Sequence, residues 1–367
     1  MGSTNKTPNF FRTKPLFGLD IGNGSLKVMQ LAEEKVPGIY GKTARPMRVV
    51  GYGTTSFSKS AMDNGVVVEP EVVAKALLEL FKQKLIGDIT TRRVAISLPA
   101  YRSFTRSIQL PALSPKELAE AVRLEAEQYI PLPISELYLD YTIISQNKDN
   151  IEVLVVAVPQ KIVNSFMELA QIVGLETVLV ETTLGAAGRL LAQDSNNNIA
   201  SMIIDFGSLS SDISIYDNGI LATGTVQGGG EVFSNSIKDR LKVTAAEAQI
   251  IKTKYGLGVS KKQKEIQAAL DPTLQQIVKE IRQIIRYYEE RYGPERPIQQ
   301  LVTLGGGANM PGLAEYLTSA LRLAVRTFDP WEHLNYKGLQ PPAPADKPMY
   351  ATVAGLSLVS PEKVFKQ

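Results

Sequence analysis

The sequence predicts an α/β protein of two duplicated halves facing each other across a cleft, with a small α+β module inserted in the first half. Three observations predict it. "LFGLDIG" (Leu16 to Gly22) and "MIIDFG" (Met202 to Gly207) are apolar strands that each run into Asp-x-Gly, then Ser-bearing small residues and a second strand. One copy in each half marks a duplication, not a short-repeat array. Residues 100–174 read strand, helix, strand, strand, helix, after which the chain returns to the strand and helix of the first half. Late in the second half, a strand enters "LGGGANMPGL" (Leu304 to Leu313) and passes into a helix.

In chain order, Leu16–Asp20 and Leu26–Ala32 read as a hairpin with a Gly-containing turn, and Val49–Phe57 as a further strand. Val73, Ala76, Leu77, Leu80 and Phe81 fall at helical spacing and predict a helix over Pro70–Lys84 that stops near Gly87. "RVAISLP" is a strand ended by Pro99. Ser114, Pro115 and Glu117 make a capping box for a helix to Tyr129, ended by Pro131 and Pro133. "LYLDYTII" and "IEVLVVAV" pair across the polar turn "QNKDN", and a helix Lys161–Val173 closes at Gly174. "TVLV", a helix Thr182–Gln193 and the Asn-rich linker "DSNNN" follow. Beyond Asp205, Asp217-Asn218-Gly219 marks a hairpin. Helices are expected over Glu231–Leu241, Ala245–Lys254 and Leu274–Tyr292, the last capped by Asp271-Pro272. "PPAPADKP" reads as a loop and "MYATVAGLSLV" as a short apolar helix. The expected division is 14–99 with 175–198 for the first domain, 100–174 for the module, 199–227 with 300–360 for the second core, and 228–299 for a helical subdomain.

Composition removes several function classes. The 367 residues suffice for two or more domain-sized units, and 44% apolar with 21% charged residues is ordinary for a soluble globular chain. A net charge of +3, from 40 Lys and Arg against 37 Asp and Glu, is too mild to predict nucleic-acid binding. "NFFRTKP" (Asn9 to Pro15) reads as a solvated lead-in. The absence of Cys excludes disulfides, thiolate nucleophiles and Cys-based metal or iron–sulfur sites, and accords with a reducing compartment. The single His, His333, excludes a His-rich metal cage; in "DPWEHLNY" it reads as a structural or solvent-exposed loop residue, not a hydrolase base. The longest apolar runs, such as "VLVVAVP", fall far short of the ~20 residues of a membrane helix, and the N-terminus lacks a signal-peptide core. A soluble, cytoplasmic chain is expected unless a partner tethers it.

The loops suggest phosphate chemistry. Backbone N–H groups in a concave turn hold phosphate oxygens, and such turns need Gly for their angles and for close approach. Ser hydroxyls add donors and a Lys adds a point charge. A carboxylate beside phosphate is repelled unless a cation lies between, so Asp20 and Asp205 on facing hairpins suggest a hydrated Mg²⁺. Gly305, Gly306 and Gly307 bring no charge; bare backbone there suits a flat base or a sugar. Each motif alone is more often an ordinary turn. All three in equivalent settings predict a nucleotide cleft.

"GLDIGNGSLKV", "VETTLGAAGRLL", "MIIDFGSLSSDISI", "LVTLGGGANMPGL" and "YATVAGLSL" resemble, in order, the phosphate 1, connect 1, phosphate 2, adenosine and connect 2 motifs of the actin-like (ribonuclease H-like) ATPases. Together they span nearly the whole chain. The inserted module narrows the likeness to the branch of the division protein FtsA and the type IV pilus assembly family PilM, and "SPKELAEAVRLEAEQYIPLPISELYLDY" looks most like PilM. The resemblance implies that Asp20 and Asp205 orient Mg²⁺ through water. It assigns Gly22, Asn23, Gly24, Ser25 and Lys27 to one side of the β- and γ-phosphates, and Gly207, Ser208 and Ser210 to the other. Gly305, Gly306 and Gly307 would pack on the adenosine. Gly229, Gly230 and the helix with Glu247 and Lys252 would border the ribose and base, although a helical Glu and Lys also suit a solvated face. Glu181 and Asp20 are the implied catalytic pair. Glu181 falls where chaperones carry the carboxylate that positions attacking water, but a strand-end structural carboxylate fits that place equally. Leu209 replaces a residue that is small in many relatives, a departure that bears on hydrolysis more than on binding.

The resemblance also implies an ATP–Mg²⁺-dependent switch in type IV pilus biogenesis with slow or no hydrolysis. The implied partner is the N-terminal cytoplasmic peptide of the membrane protein PilN, held in a groove beside the module, which would place the chain peripherally at the inner membrane. Self-association stays open. The alternatives are an FtsA-like division filament, a small-molecule kinase, and a scaffold whose cleft serves stability alone. FtsA proteins usually end in an amphipathic tail, whereas "SPEKVFKQ" offers only Val364 and Phe365 as apolar residues. A kinase would need a further base in the cleft.

Overall fold

Two sheets of matching construction carry the duplication. The computed structural model describes residues 14–34, 47–193, 199–332, 334–360 and 364; most of the lead-in, the "DSNNN" linker and His333 lie outside the described residues. In the first sheet, the central strand Phe17–Ile21 is buried at every residue. It pairs antiparallel with Ser25–Glu33 and, on its other edge, parallel with Arg93–Leu98. Ser201–Phe206 repeats this, antiparallel to Ser211–Tyr216 and parallel to Gln300–Leu304. Such near-continuous apolar strands fit sheets covered on both faces. Met47–Ser56 and Glu176–Thr182 extend the first sheet, and Ile220–Val226 and Ala324–Thr327 the second.

The alternation of the central strand divides its faces. Phe17, Leu19 and Ile21 pack with Val73, Leu77 and Leu80 and with Ile162, Phe166 and Leu169. The helix Gln160–Val173, read from sequence with the inserted module, therefore covers the first sheet beside the helix Pro70–Glu79. The latter widens into a π-helical turn at Leu80–Lys84. On the opposite face the C-terminal helix Ala351–Ser357 returns to the first sheet, where Ser357 Oγ accepts from Gly18 N–H at 3.2 Å and donates to Met29 O at 2.7 Å. The module is a three-stranded antiparallel sheet, Phe104–Pro111, Asn150–Pro159 and Leu137–Gln146 in spatial order. Its helix Pro115–Tyr129 begins at the expected Ser114–Glu117 capping box and buries Leu118 and Val122 against Ile108, Ile151 and Val153.

One helix differs from the sequence expectation. Asp271-Pro272 does not cap a helix from Leu274; the helix runs unbroken over Gln263–Tyr292 with Pro272 inside. An interior Pro costs about 3 kcal/mol through its lost hydrogen bond and ring clash. Ile266, Ala269 and Leu270 continue the buried stripe of Leu274, Ile277 and Ile281, and burial of about 1.5–3 kcal/mol per large side chain outweighs that cost. "PPAPADKP" likewise ends in structure, a 3₁₀ segment Pro344–Tyr350 that feeds the C-terminal helix.

An aromatic cluster joins the returning C-terminal segment to the first sheet. Trp331, 1% exposed, meets Tyr52 edge-on at 4.6 Å between centroids and Tyr350 at 5.7 Å. Trp331→Ala should lower unfolding free energy by about 3–5 kcal/mol, measured by urea unfolding followed by far-UV circular dichroism, because Trp331 is the sole Trp.

Candidate functional site

The equivalent hairpins open onto one cleft of about 480 Å³ between the two sheets, with Gly305–Gly307 on its wall. In the first hairpin, strand register sets Asp20 opposite Lys27. Asp20 Oδ2 lies 3.1 Å from Lys27 Nζ, and Oδ1 accepts from Ser97 Oγ at 2.7 Å. The turn between is closed by Gly22 N–H donating to Ser25 O at 2.8 Å. Lys27 and Ser97 thus fix a nearly buried carboxylate at the mouth of a buried strand.

The second hairpin has the same register but different electrostatics. Asp205 stands opposite Asp212, not opposite a cation. Asp212 accepts from Thr225 Oγ1 at 2.7 Å and from Ser210 Oγ at 3.2 Å. Burial raises its pKa to about 6, against the pull of those two hydroxyls. Asp205 rises further, to about 7: burial contributes most, then the Asp212 and Asp20 carboxylates, with Lys27 opposing. The cleft floor therefore gathers the carboxyls of Asp20, Asp205 and Asp212, of which Asp20 is ion-paired, with Lys27.

Two glycines have steric reasons. Gly305 has φ +82°, and a Cβ there would lie 2.2 Å from Asp205 Oδ1. At Gly229 a Cβ would lie 2.5 Å from Gly207 O and 2.6 Å from Ser208 O, so the second loop and the helix Gly230–Leu241 pack backbone to backbone. Lys252 Nζ donates to Gly230 O at 2.7 Å. Burial lowers its pKa to about 8, with Glu231 opposing and Lys59 adding to the drop.

A family model described as type IV pilus assembly protein PilM matches residues 18–360. The chain belongs to the PilM family. The cell division protein FtsA of Bacillus subtilis (strain 168) is 22% identical over 379 residues, covering 92% of this chain and 81% of FtsA. Among solved structures, a PilM–PilN type IV pilus biogenesis complex aligns with a TM-score of 0.76 at 24% identity, over 97% of this chain and 100% of that one. MreB5 of Spiroplasma citri, solved bound to AMPPNP, aligns with a TM-score of 0.51 at 14% identity over 96% of each chain. These likenesses establish the duplicated actin-like fold expected from the sequence.

In this PilM-family chain the cleft brings together Asp20, Gly22, Asn23, Gly24, Ser25 and Lys27 from one side and Asp205, Gly207, Ser208 and Ser210 from the other. Gly230, Lys252, Gly305, Gly306 and Gly307 also line it. Gly229 lies behind the second loop, as described. Glu181 does not line the cleft: both its oxygens accept from Arg189, Oε2 from Nη2 at 2.8 Å, while Arg189 Nη1 also donates to Gly355 O at 3.1 Å. The carboxylate thus holds Arg189, of the helix Thr183–Leu191, whose guanidinium reaches the C-terminal helix. Glu247 is exposed and caps its own helix, accepting from Thr244 N–H and Oγ1 at 2.8 Å each. Its signal was the capping-box spacing from Thr244. Sequence reading missed Ser97, Asp212, Lys59 and Glu231. Asp212 was within reach, since aligning the hairpins puts it where the first has Lys27. Among the described residues no group of three or more His, Asp or Glu is arranged to hold a metal directly.

Asp205 binds its proton more tightly in the folded than in the unfolded chain. Its contribution to stability is thus full at low pH and is lost as pH rises from about 4 to about 7. Asp205→Asn should match the parent near pH ~4 and gain on it by up to about 1.4 kcal/mol per pH unit across that window. Thermal melts without nucleotide at about pH 4 and about pH 8 measure the difference.

Proposed function

We propose that this chain binds ATP–Mg²⁺ in the cleft and, according to nucleotide state, sets the shape of a surface that holds the N-terminal cytoplasmic segment of PilN. The observation that carries this reading is the pair of equivalent hairpins presenting Asp20 and Asp205 to one cleft, in a chain that matches the PilM family from 18 to 360. The related fold of MreB5, solved with AMPPNP, supports the nucleotide, and the PilM–PilN complex supports the partner.

The residues fit Mg²⁺ held through water. Asp20, Asp205 and Asp212 place three carboxylates in the cleft; burial and then their mutual repulsion raise the Asp205 pKa, and a divalent cation would relieve both. Mg²⁺ usually keeps several waters and needs few direct protein ligands. When bound, Mg²⁺ would neutralise phosphate charge beside Asp20 and Asp205. Lys27, Asn23, Ser25, Ser208 and Ser210 would hold phosphate oxygens from both sides, and Gly305–Gly307 would admit the adenosine. Glu181, committed to Arg189, is not available to position water, which favours binding and switching over rapid turnover. The proposed division keeps the first domain, inserted module, second core and helical subdomain, with the helix Gln160–Val173 and the C-terminal helix assigned to the first domain by their packing. No described helix is long and apolar enough to cross a membrane, so PilN would supply the attachment to the inner membrane.

Calorimetry with ATP, with and without Mg²⁺, and with a synthetic PilN N-terminal peptide tests the reading. Mg²⁺ should tighten ATP binding, and Asp20→Asn should remove at least about tenfold of that gain, ~1.4 kcal/mol. A chain that binds neither ATP nor the peptide is outside this function.

A further inference from the structure

Glu231 opens the helix Gly230–Leu241, just after the Gly228–Gly230 run, and no motif assigns it a role. Its Oε1 accepts from three side chains: Lys59 Nζ at 2.6 Å, Ser208 Oγ at 2.9 Å and Asn23 Nδ2 at 3.3 Å. Ser208 belongs with Glu231. Glu231 N–H donates to Ser208 O and Gly230 N–H to Gly207 O, each at 2.9 Å, so the loop and the helix start form one unit. Asn23 and Lys59 belong to the first half. Lys59 lies against the first loop, with its Cγ 2.8 Å from where a Gly24 Cβ would stand. A single carboxylate oxygen therefore ties together the tips of both hairpins.

Those donors are an amide, a hydroxyl and an ammonium converging from opposite lips of a cleft. That set suits a phosphate oxygen as well as a carboxylate. All four groups, Glu231 included, line the same cavity as Gly22, Gly207 and Lys27. Two anions cannot share the donors without repulsion, which is strong in a partly covered cleft.

We propose that the Glu231 carboxylate is a built-in competitor of the terminal phosphate: it latches the hairpins through Asn23, Lys59 and Ser208, and a bound phosphate takes over these donors and displaces it. This inference rests on the nucleotide reading above. The latch would oppose binding in proportion to the phosphates carried, and leave the adenosine side untouched. Selectivity for ATP over ADP would then depend on how well each anion competes with Glu231.

Glu231→Gln keeps the size and an acceptor oxygen but removes the charge and the Lys59 ion pair. Calorimetry on the full chain with Mg²⁺ should show ATP and tripolyphosphate binding about tenfold tighter to this variant, the scale of one lost charge-pair competitor, with adenosine unchanged. Because the protein has no Cys, spin labels can be placed at exposed Asp63 and Lys254, on the two sides of the cleft. Without nucleotide, the distance distribution should be broader in Glu231→Gln than in the parent, and ATP should narrow it. Equal or weaker ATP binding by the variant, with the parent binding ATP, overturns the inference and leaves the nucleotide reading intact. If neither protein binds ATP, both fall, whatever the labels report.

Discussion

The cleft depends on where a carboxylate stands on a buried strand. Phe17–Ile21 and Ser201–Phe206 run through the core, and Asp20 and Asp205 stand at their cleft ends, the first buried and the second partly buried. Each must be answered by whatever the neighbouring antiparallel strand sets opposite it. In the first half register supplies Lys27, and the pair is complete with Ser97. In the second half it supplies Asp212, which adds to the problem. The duplicated scaffold is symmetric in backbone and asymmetric in charge. The second half thus sets two carboxylates side by side where the first has an ion pair, and Gly305 keeps the space beside Asp205 free of any Cβ.

Much of this was legible because it is local. An apolar run ending in Asp-x-Gly, twice, needs no tertiary information to suggest equivalent hairpins. The Ser114–Glu117 box likewise announced its helix, because capping is a contact between residues three apart. Glu247 shows the limit of motif transfer. Three residues after Thr244, the same local rule predicts a cap, and a cap is what the carboxylate makes.

What was not legible depends on distant partners. Around Pro272 two local signals conflict: a Pro reads as a helix start, while Ile266, Ala269 and Leu270 continue the helical stripe, and the burial that decides between them comes only from the folded second half. The helix Gln160–Val173 follows the module in sequence, yet its apolar face matches Val73 and Leu77, some ninety residues upstream. Lys59 and Glu231 are 172 positions apart and carry no motif, so their ion pair could not be read from spacing.

Glu181 shows how a carboxylate near the cleft is given to the scaffold. A carboxylate that activates water needs one oxygen free towards the cleft, with a pKa that lets it accept a proton. Arg189 engages both oxygens from the next turn of chain, and the same guanidinium reaches Gly355 O on the C-terminal helix. Freeing Glu181 would therefore unpair a partly buried Arg and loosen the contact between two helices that pack on the first sheet. Charge pairing at this position works for the scaffold, while the carboxylates left incompletely balanced, Asp205 and Asp212, are gathered at the cleft floor. A protein so arranged stores its electrostatic imbalance where a ligand would relieve it. On the proposed reading, ligand binding, more than bond cleavage, would be the event to which its conformation responds.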